Sequence, residues 1–222
     1  MKKINYFKFA AIAMTFAFAL TVTPQTAYAQ LSKKQTKQLQ KERDKEYQKK
    51  IKEYKTEKWK LSGSSHTIEV TLLEHYAKLG ESEHNKEFVG EVSQCKSINV
   101  CKQFALTNAQ NRYALLASGN VKGRIESMLA ADANMPQIEI DKFIAAYENQ
   151  VKAEVGGVLT ESYSIVKDNG TTKEYKTFFI LNEEKAGAAR ARAMERSLRE
   201  TKIAIKDAEE ISKFVNEEFD LE

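Results

Sequence analysis

The chain has 222 residues, with 35 Lys and Arg against 31 Asp and Glu, and only two cysteines and three histidines. That length can bury a sufficient core without a dense disulfide framework. Two prolines in the whole chain, Pro24 and Pro136, argue against a disordered, proline-rich architecture.

Residues Met1–Ala29 read as a secretory leader. Lys2, Lys3 and Lys8 form a basic start, Phe9–Val22 an apolar run interrupted by threonines, and Ala27-Tyr28-Ala29 a small-x-small cleavage site. The apolar run is shorter than the ~20 residues a spanning helix needs. No cysteine follows it, so there is no lipid-attachment box, and the expected product is exported, periplasmic or envelope-associated. Three of the bases leave with the leader, so the remainder carries 32 bases and 31 acids and is close to neutral.

Residues 30–60 differ in composition from the rest. Leu31–Lys60 holds twelve bases and five acids, without Pro or Gly, and predicts a basic helical arm. Only Tyr47, Ile51 and Tyr54 form an apolar stripe, so the helix is expected to be mostly solvated and to dock by its last turns and Trp59. Lys49, Lys50, Lys52 and Lys55 are the candidate contacts for an envelope protein or an anionic membrane or lipopolysaccharide surface. The arm lacks the interleaved aromatics of a nucleic-acid surface, and nucleic acid is not an expected partner.

Residues 61–222 read as one α+β domain. Leu61–Ser65 is a break, with Ser65 placed to cap the next element. Ile68, Leu72, Tyr76 and Leu79 favour a helix over His66–Leu79, although Ile68, Val70 and Thr71 are also compatible with a strand. Phe88–Val92 is a short strand by composition. Ile98–Ala131 is the expected central helix, with a buried stripe of Leu106, Ala109, Tyr113, Leu116, Val121, Ile125 and Met128. The small residues Ala109, Ala117, Gly119 and Gly123 suggest close packing along it. Asp132–Pro136 ends that helix, and Ile140, Phe143, Ile144, Tyr147 and Val151 give the following one its buried face.

Gly156-Gly157 breaks the second helix, and Val158–Val166 and Tyr175–Leu181 read as a hairpin around Asp168-Asn169-Gly170. Asn-Gly is a strong turn signal, because both residues accept positive φ. Phe178–Leu181 is apolar at consecutive positions, which places that strand centrally, paired also with Phe88–Val92. A long final helix follows over Glu183–Phe219, with Ala186, Ala189, Ala193, Leu198, Ile205, Ala208, Ile211 and Val215 inward. Its arginines, Arg190, Arg192, Arg196 and Arg199, read as a solvated face. The expected architecture is a three-stranded antiparallel sheet packed against the long central and C-terminal helices, with the basic N-terminal helix extending from it.

Cys95 and Cys101, close in sequence in an exported protein, suggest one structural disulfide, with a pair of buried thiols as the second reading. The spacing excludes a C-x-x-C redox motif. His66, His75 and His84 lack the convergent spacing of a metal site and read as surface or locally satisfied residues. Two S-x-x-K matches, Ser93–Lys96 and Ser164–Lys167, lack their companion motifs; in the second, a strand would send Ser and Lys to opposite faces. No catalytic residue, metal ligand or cofactor is assigned. A periplasmic hydrolase with an unrecognised site is the alternative to a binding protein, and a structural subunit that assembles through its terminal helices is the third reading.

The order of features carries a resemblance. Trp59-Lys60-Leu61-Ser62-Gly63-Ser64 precedes a helix with Leu72-Leu73-Glu74-His75-Tyr76 and a short strand. The Ala-rich Ala105–Ala114 follows, and then Val155-Gly156-Gly157-Val158-Leu159 leads to the hairpin. Over roughly Trp59–Leu198 this resembles the LPP-twenty-like lipoprotein family and related exported bacterial proteins of unknown function. It is also similar to the N-terminal domain of a flagellar assembly protein. The resemblance implies a small α+β domain in the envelope with no established catalytic residues; the chain departs from the lipoprotein members by lacking their lipidated cysteine.

Overall fold

A computed structural model describes residues 33–129 and 137–201. Outside these lie the expected leader, the expected break over Asp132–Pro136, and Ile205, Ala208, Ile211 and Val215 of the expected final helix; the side chain of Met128 is likewise not described. The chain divides into two compact units, residues 1–43 and 44–222. Of the first, residues 33–43 begin a helix.

The elements in order are α1 (Lys33–Thr56), β1 (Lys60–Leu61), α2 (Ile68–Gly80), β2 (Asn85–Cys95), α3 (Ile98–Leu129), α4 (Gln137–Val155), β3 (Thr160–Asp168), β4 (Lys173–Asn182) and α5 (Glu183–Thr201). The four strands form one antiparallel sheet in the order β1-β3-β4-β2. The α+β class is as expected, but the sheet has four strands. Lys60 and Leu61, which read as the edge of a break, pair with Val166 and Ile165, and the Ser62 N–H extends the ladder to the Ser164 carbonyl at 2.9 Å.

β4 lies between β3 and β2 because its side chains are apolar toward both layers. Phe178 joins Ile51, Tyr54, Trp59, Leu72, Tyr163 and Ile165 beneath α1 and α2. Phe179 and Leu181 join Phe88 and the buried faces of α3, α4 and α5. Helices thus cover both faces of the sheet. In the hairpin only Gly170 takes positive φ, at 80°, and the turn spans Asn169–Thr172, closed by the Asn169 N–H on the Thr172 carbonyl at 2.9 Å. Asn169 is not in the left-handed region, so the turn is longer than a two-residue Asn-Gly connection.

The buried stripe of α3 runs every fourth residue through Cys101, Ala105, Ala109, Tyr113, Ala117, Val121 and Ile125. Leu116, expected inside, is 40% exposed. Gly119 and Gly123 face open space rather than a packed neighbour. The close approach occurs elsewhere, at Gly90 of β2, where a Cβ would fall 1.9 Å from the Ala105 carbonyl oxygen. Beside it, Cys95 and Cys101 form a disulfide with Cα atoms 5.4 Å apart, tying the end of β2 to the first turn of α3.

α2 is capped by Thr67, whose hydroxyl accepts from the Val70 N–H at 3.4 Å, and not by Ser65. α1 ends in a Schellman motif: the Trp59 N–H donates to the Tyr54 carbonyl at 2.9 Å and the Lys58 N–H to the Lys55 carbonyl at 3.3 Å. Lys58 occupies the left-handed position, with φ 63°, that glycine usually fills. The motif turns the chain sharply enough to seat Trp59 in the core and start β1.

Candidate functional site

The last turns of α1 are fastened to α2 and to the sheet by aromatic hydroxyls. Tyr47 donates to the Glu69 carbonyl at 3.1 Å, and the Tyr54 and Tyr163 hydroxyls meet at 3.1 Å in the core. This orientation divides the four candidate lysines. Lys50 turns inward, its ammonium 3.3 Å from both oxygens of Glu87 and 5.3 Å from the centre of the Phe178 ring. Lys55 pairs with Glu69 at 2.5 Å. Lys49 and Lys52 are exposed and form no ion pair among the described residues.

Behind Lys50 lies a polar constellation that the sequence did not announce. His75 lies between Leu72 and Tyr76 on the inner side of α2, and its side chain is fully buried. Its Nε2 is 2.6 Å from Glu87 Oε2 and its Nδ1 is 2.9 Å from Ser162 Oγ. Glu87 and Val89 alternate to the α2 side of β2, while Phe88 packs on the other. Ser162 reaches the same side because β3 bulges there. Glu161 pairs with Phe179 and Tyr163 with the adjacent Phe178, leaving Ser162 as the extra residue. Bulges re-aim side chains in this way.

The rings of Tyr163, Tyr76 and Phe178 surround the imidazole, with centroids 5.1, 5.6 and 6.4 Å away. Burial pushes the Glu87 carboxyl up, but the His75 hydrogen bond and the Lys50 charge outweigh it and hold Glu87 below the ordinary carboxylate range. Glu87 is therefore anionic at neutral pH and can only accept hydrogen bonds. A neutral His75 must then carry its proton on Nε2, which leaves Nδ1 to accept from the Ser162 hydroxyl. The tyrosines respond to the same environment. Burial raises Tyr76 to about 12 and pushes Tyr54 and Tyr163 higher still.

The sequence reading left His75 among surface or locally satisfied residues. It is instead buried and held by partners 12 and 87 positions away. The available signal was its place beside Leu72 on the apolar stripe of α2. His66, exposed, lies 3.4 Å from Glu74, and His84 lies 3.8 Å from Glu83. No group of three or more potential metal ligands converges among the described residues. The S-x-x-K match in β3 forms no Ser–Lys pair: Ser164 bonds Thr177 and Glu161, while Lys167 pairs with Glu57 and Glu174.

The arginine row of α5 also departs from a simple solvated face. Arg192 and Arg196 grip Glu154 at 2.7 and 2.5 Å, and Arg199 pairs with Glu195. Arg190, however, is buried, bonded to Glu183 and to the Tyr113 hydroxyl. Glu183 opens α5 itself and Tyr113 lies on α3, so this cation ties the first turns of α5 to α3.

Fold and site together define an α+β protein with a helix-covered antiparallel sheet and a buried serine–histidine–carboxylate chain beside a lysine-rich helix. No family model, curated protein or solved structure matches the chain. Among the described residues, no helix is long and apolar enough to cross a membrane.

Proposed function

We propose that the protein is an exported component of the cell envelope that docks on an acidic partner through the outer flank of α1. The observation that carries this reading is the division of the lysines. Lys50 turns in onto the half-buried Glu87 and Lys55 pairs with Glu69 at the surface, whereas Lys49 and Lys52, three apart on a helix anchored by Tyr47 and Tyr54, stand exposed without an ion pair among the described residues. Residues three apart share a helix face. A fixed helix presents these charges without the ordering cost a floppy tail would incur. The leader-like start of the sequence and the resemblance of Trp59–Leu198 to exported envelope proteins favour the same location.

The partner is an envelope protein with an acidic face or an anionic lipid or lipopolysaccharide surface. Lysines near an anionic surface contribute about 1 kcal/mol each, and the attraction weakens with salt. The test is envelope fractionation and in-cell crosslinking of the Lys49→Glu/Lys52→Glu variant, with binding to vesicles containing anionic lipid measured alongside. At least about a tenfold loss of association is expected from removing and reversing two such charges. Unchanged fractionation and crosslinking would overturn the reading.

A further inference from the structure

We propose that Ser162, His75 and Glu87 form a nucleophilic site that cleaves small carboxylic esters, an activity independent of any docking by α1. The geometry has three relations found in such sites: nucleophile to base at 2.9 Å, base to orienting carboxylate at 2.6 Å, and a cation 3.3 Å from that carboxylate. The imidazole uses Nδ1 toward the serine and Nε2 toward the carboxylate, and the roles depend on geometry rather than on which ring nitrogen fills each. Ser162 and Glu87 are half-buried while the base between them is fully buried, so the chain reaches toward solvent at both ends.

Access is provided by the short β1. It pairs only with Ile165 and Val166, and its ladder ends at Ser164, so no strand lies beside Thr160–Tyr163 on that edge among the described residues. The bulge that displaces Ser162 from the β3–β4 register lies in this same uncovered stretch. Structural networks that fasten a helix to a sheet need no bulge at the hydroxyl and no open edge beside it. The buried Tyr76 hydroxyl, without a hydrogen-bond partner among the described residues, adds a spare donor to the cluster.

The reaction balances without a further reagent than water. Ser162 Oγ forms a bond to the ester carbonyl carbon as its proton passes to His75 Nδ1, and Glu87 faces the resulting imidazolium at Nε2. The bond from that carbon to the leaving alkoxide then breaks, and His75 returns the proton to the departing oxygen, leaving an acyl-serine. Water gives a proton to the same nitrogen as its oxygen bonds to the acyl carbon; the bond from that carbon to Ser162 Oγ then breaks, His75 returns the proton to Oγ, and the carboxylic acid leaves. His75 and Ser162 act on the reacting atoms; Glu87 and Lys50 are positioning residues.

The experiment treats the full chain, freed of any leader by its own processing, with an alkyl fluorophosphonate and, separately, with p-nitrophenyl acetate. One phosphonyl adduct at Ser162 is expected by peptide mass mapping. Ester cleavage should fall at least ~100-fold in Ser162→Ala, the usual scale for losing acid–base and nucleophilic assistance. No adduct, an adduct at another serine, or unchanged cleavage by Ser162→Ala would overturn the proposal. Because His75 variants risk unfolding, Ser162→Cys provides the second readout. Iodoacetamide should alkylate this cysteine at least ~10-fold faster than an ordinary thiol, because His75 draws off its proton. Alkylation at the rate of an ordinary thiol would equally overturn the assignment.

Discussion

Gly90 of β2 lies directly beneath Ala105 of α3, so close that a Cβ would sit 1.9 Å from the Ala105 carbonyl oxygen and 3.2 Å from the Ala109 Cβ. The obstacle is backbone, which has no rotamer to yield. Gly90→Ala should therefore destabilise by ~3 kcal/mol, at the upper end of overpacking costs. By contrast Gly119→Ala, facing open space within a helix, should stabilise by ~0.5–1 kcal/mol through helix propensity. Urea midpoints of the two variants check both signs. A neutral Gly90→Ala would show that α3 does not seat on β2 as described.

Lys58 provides a second backbone test. It holds φ 63° in the Schellman motif that ends α1. A side chain in that conformation costs roughly 1 kcal/mol relative to glycine. Lys58→Gly should raise stability by ~0.5–1 kcal/mol in thermal or urea unfolding, whereas Lys58→Val should lower it.

The buried pair of Arg190 with Glu183 separates holding from driving. Removing one partner strands the other charge in the core, so Arg190→Ala should cost ~3–5 kcal/mol. Replacing both, as Arg190→Met with Glu183→Leu, should recover most of that loss, because well-packed apolar groups avoid the desolvation that the pair suffers. Denaturant unfolding of the two single variants and the double variant measures the coupling.

Glu87 predicts an acid limb. Its carboxyl is held below its ordinary value of 4.5, so the folded state binds this proton less readily than the unfolded chain. The stability it contributes is fully present above the ordinary carboxylate range and is lost as pH falls through its lowered folded value. Unfolding midpoints followed from pH 7 down to pH 3 should decline below about pH 4–5. In Glu87→Gln the starting stability should be lower and that decline shallower.

The disulfide closes a short loop, which limits its effect. Reduction, or Cys95→Ser with Cys101→Ser, should cost at most ~2–3 kcal/mol. The fold should survive, with its unfolding midpoint lowered and its far-UV spectrum retained.

What the sequence made legible was the part of the fold carried by local periodicity. The stripe of α4 falls where the spacing places it, that of α2 is buried at Leu72 but shifted onto Thr71 and His75, and Phe178–Leu181 marks the central strand because consecutive apolar residues need two buried faces. The disulfide was legible from two cysteines six apart. β1 was not, because two residues carry no period and Lys60–Leu61 is a strand only by virtue of β3 beside it. Arg190 escaped a pattern that counts apolar residues alone. His75 escaped for a similar reason: Glu87 and Ser162 meet it only after α2, β2 and β3 have come together, and a one-residue bulge sets the last of those contacts. Gly119 and Gly123 show the reverse error, since small residues on a helix permit close packing without requiring it.

The placement of β4 between β3 and β2 also governs when this molecule can become itself. Asn85 pairs with Asn182, so the earliest long strand among the described residues finds its neighbour about a hundred residues later. Such distant pairing slows folding, because a large loop must close before any contact rewards it. The hairpin of β3 and β4 is local and can form early. β2, α2 and the end of α1 must wait for it. β2 and the helices packed on it therefore gain their partner strand only once the chain has run through β3 and the hairpin to β4.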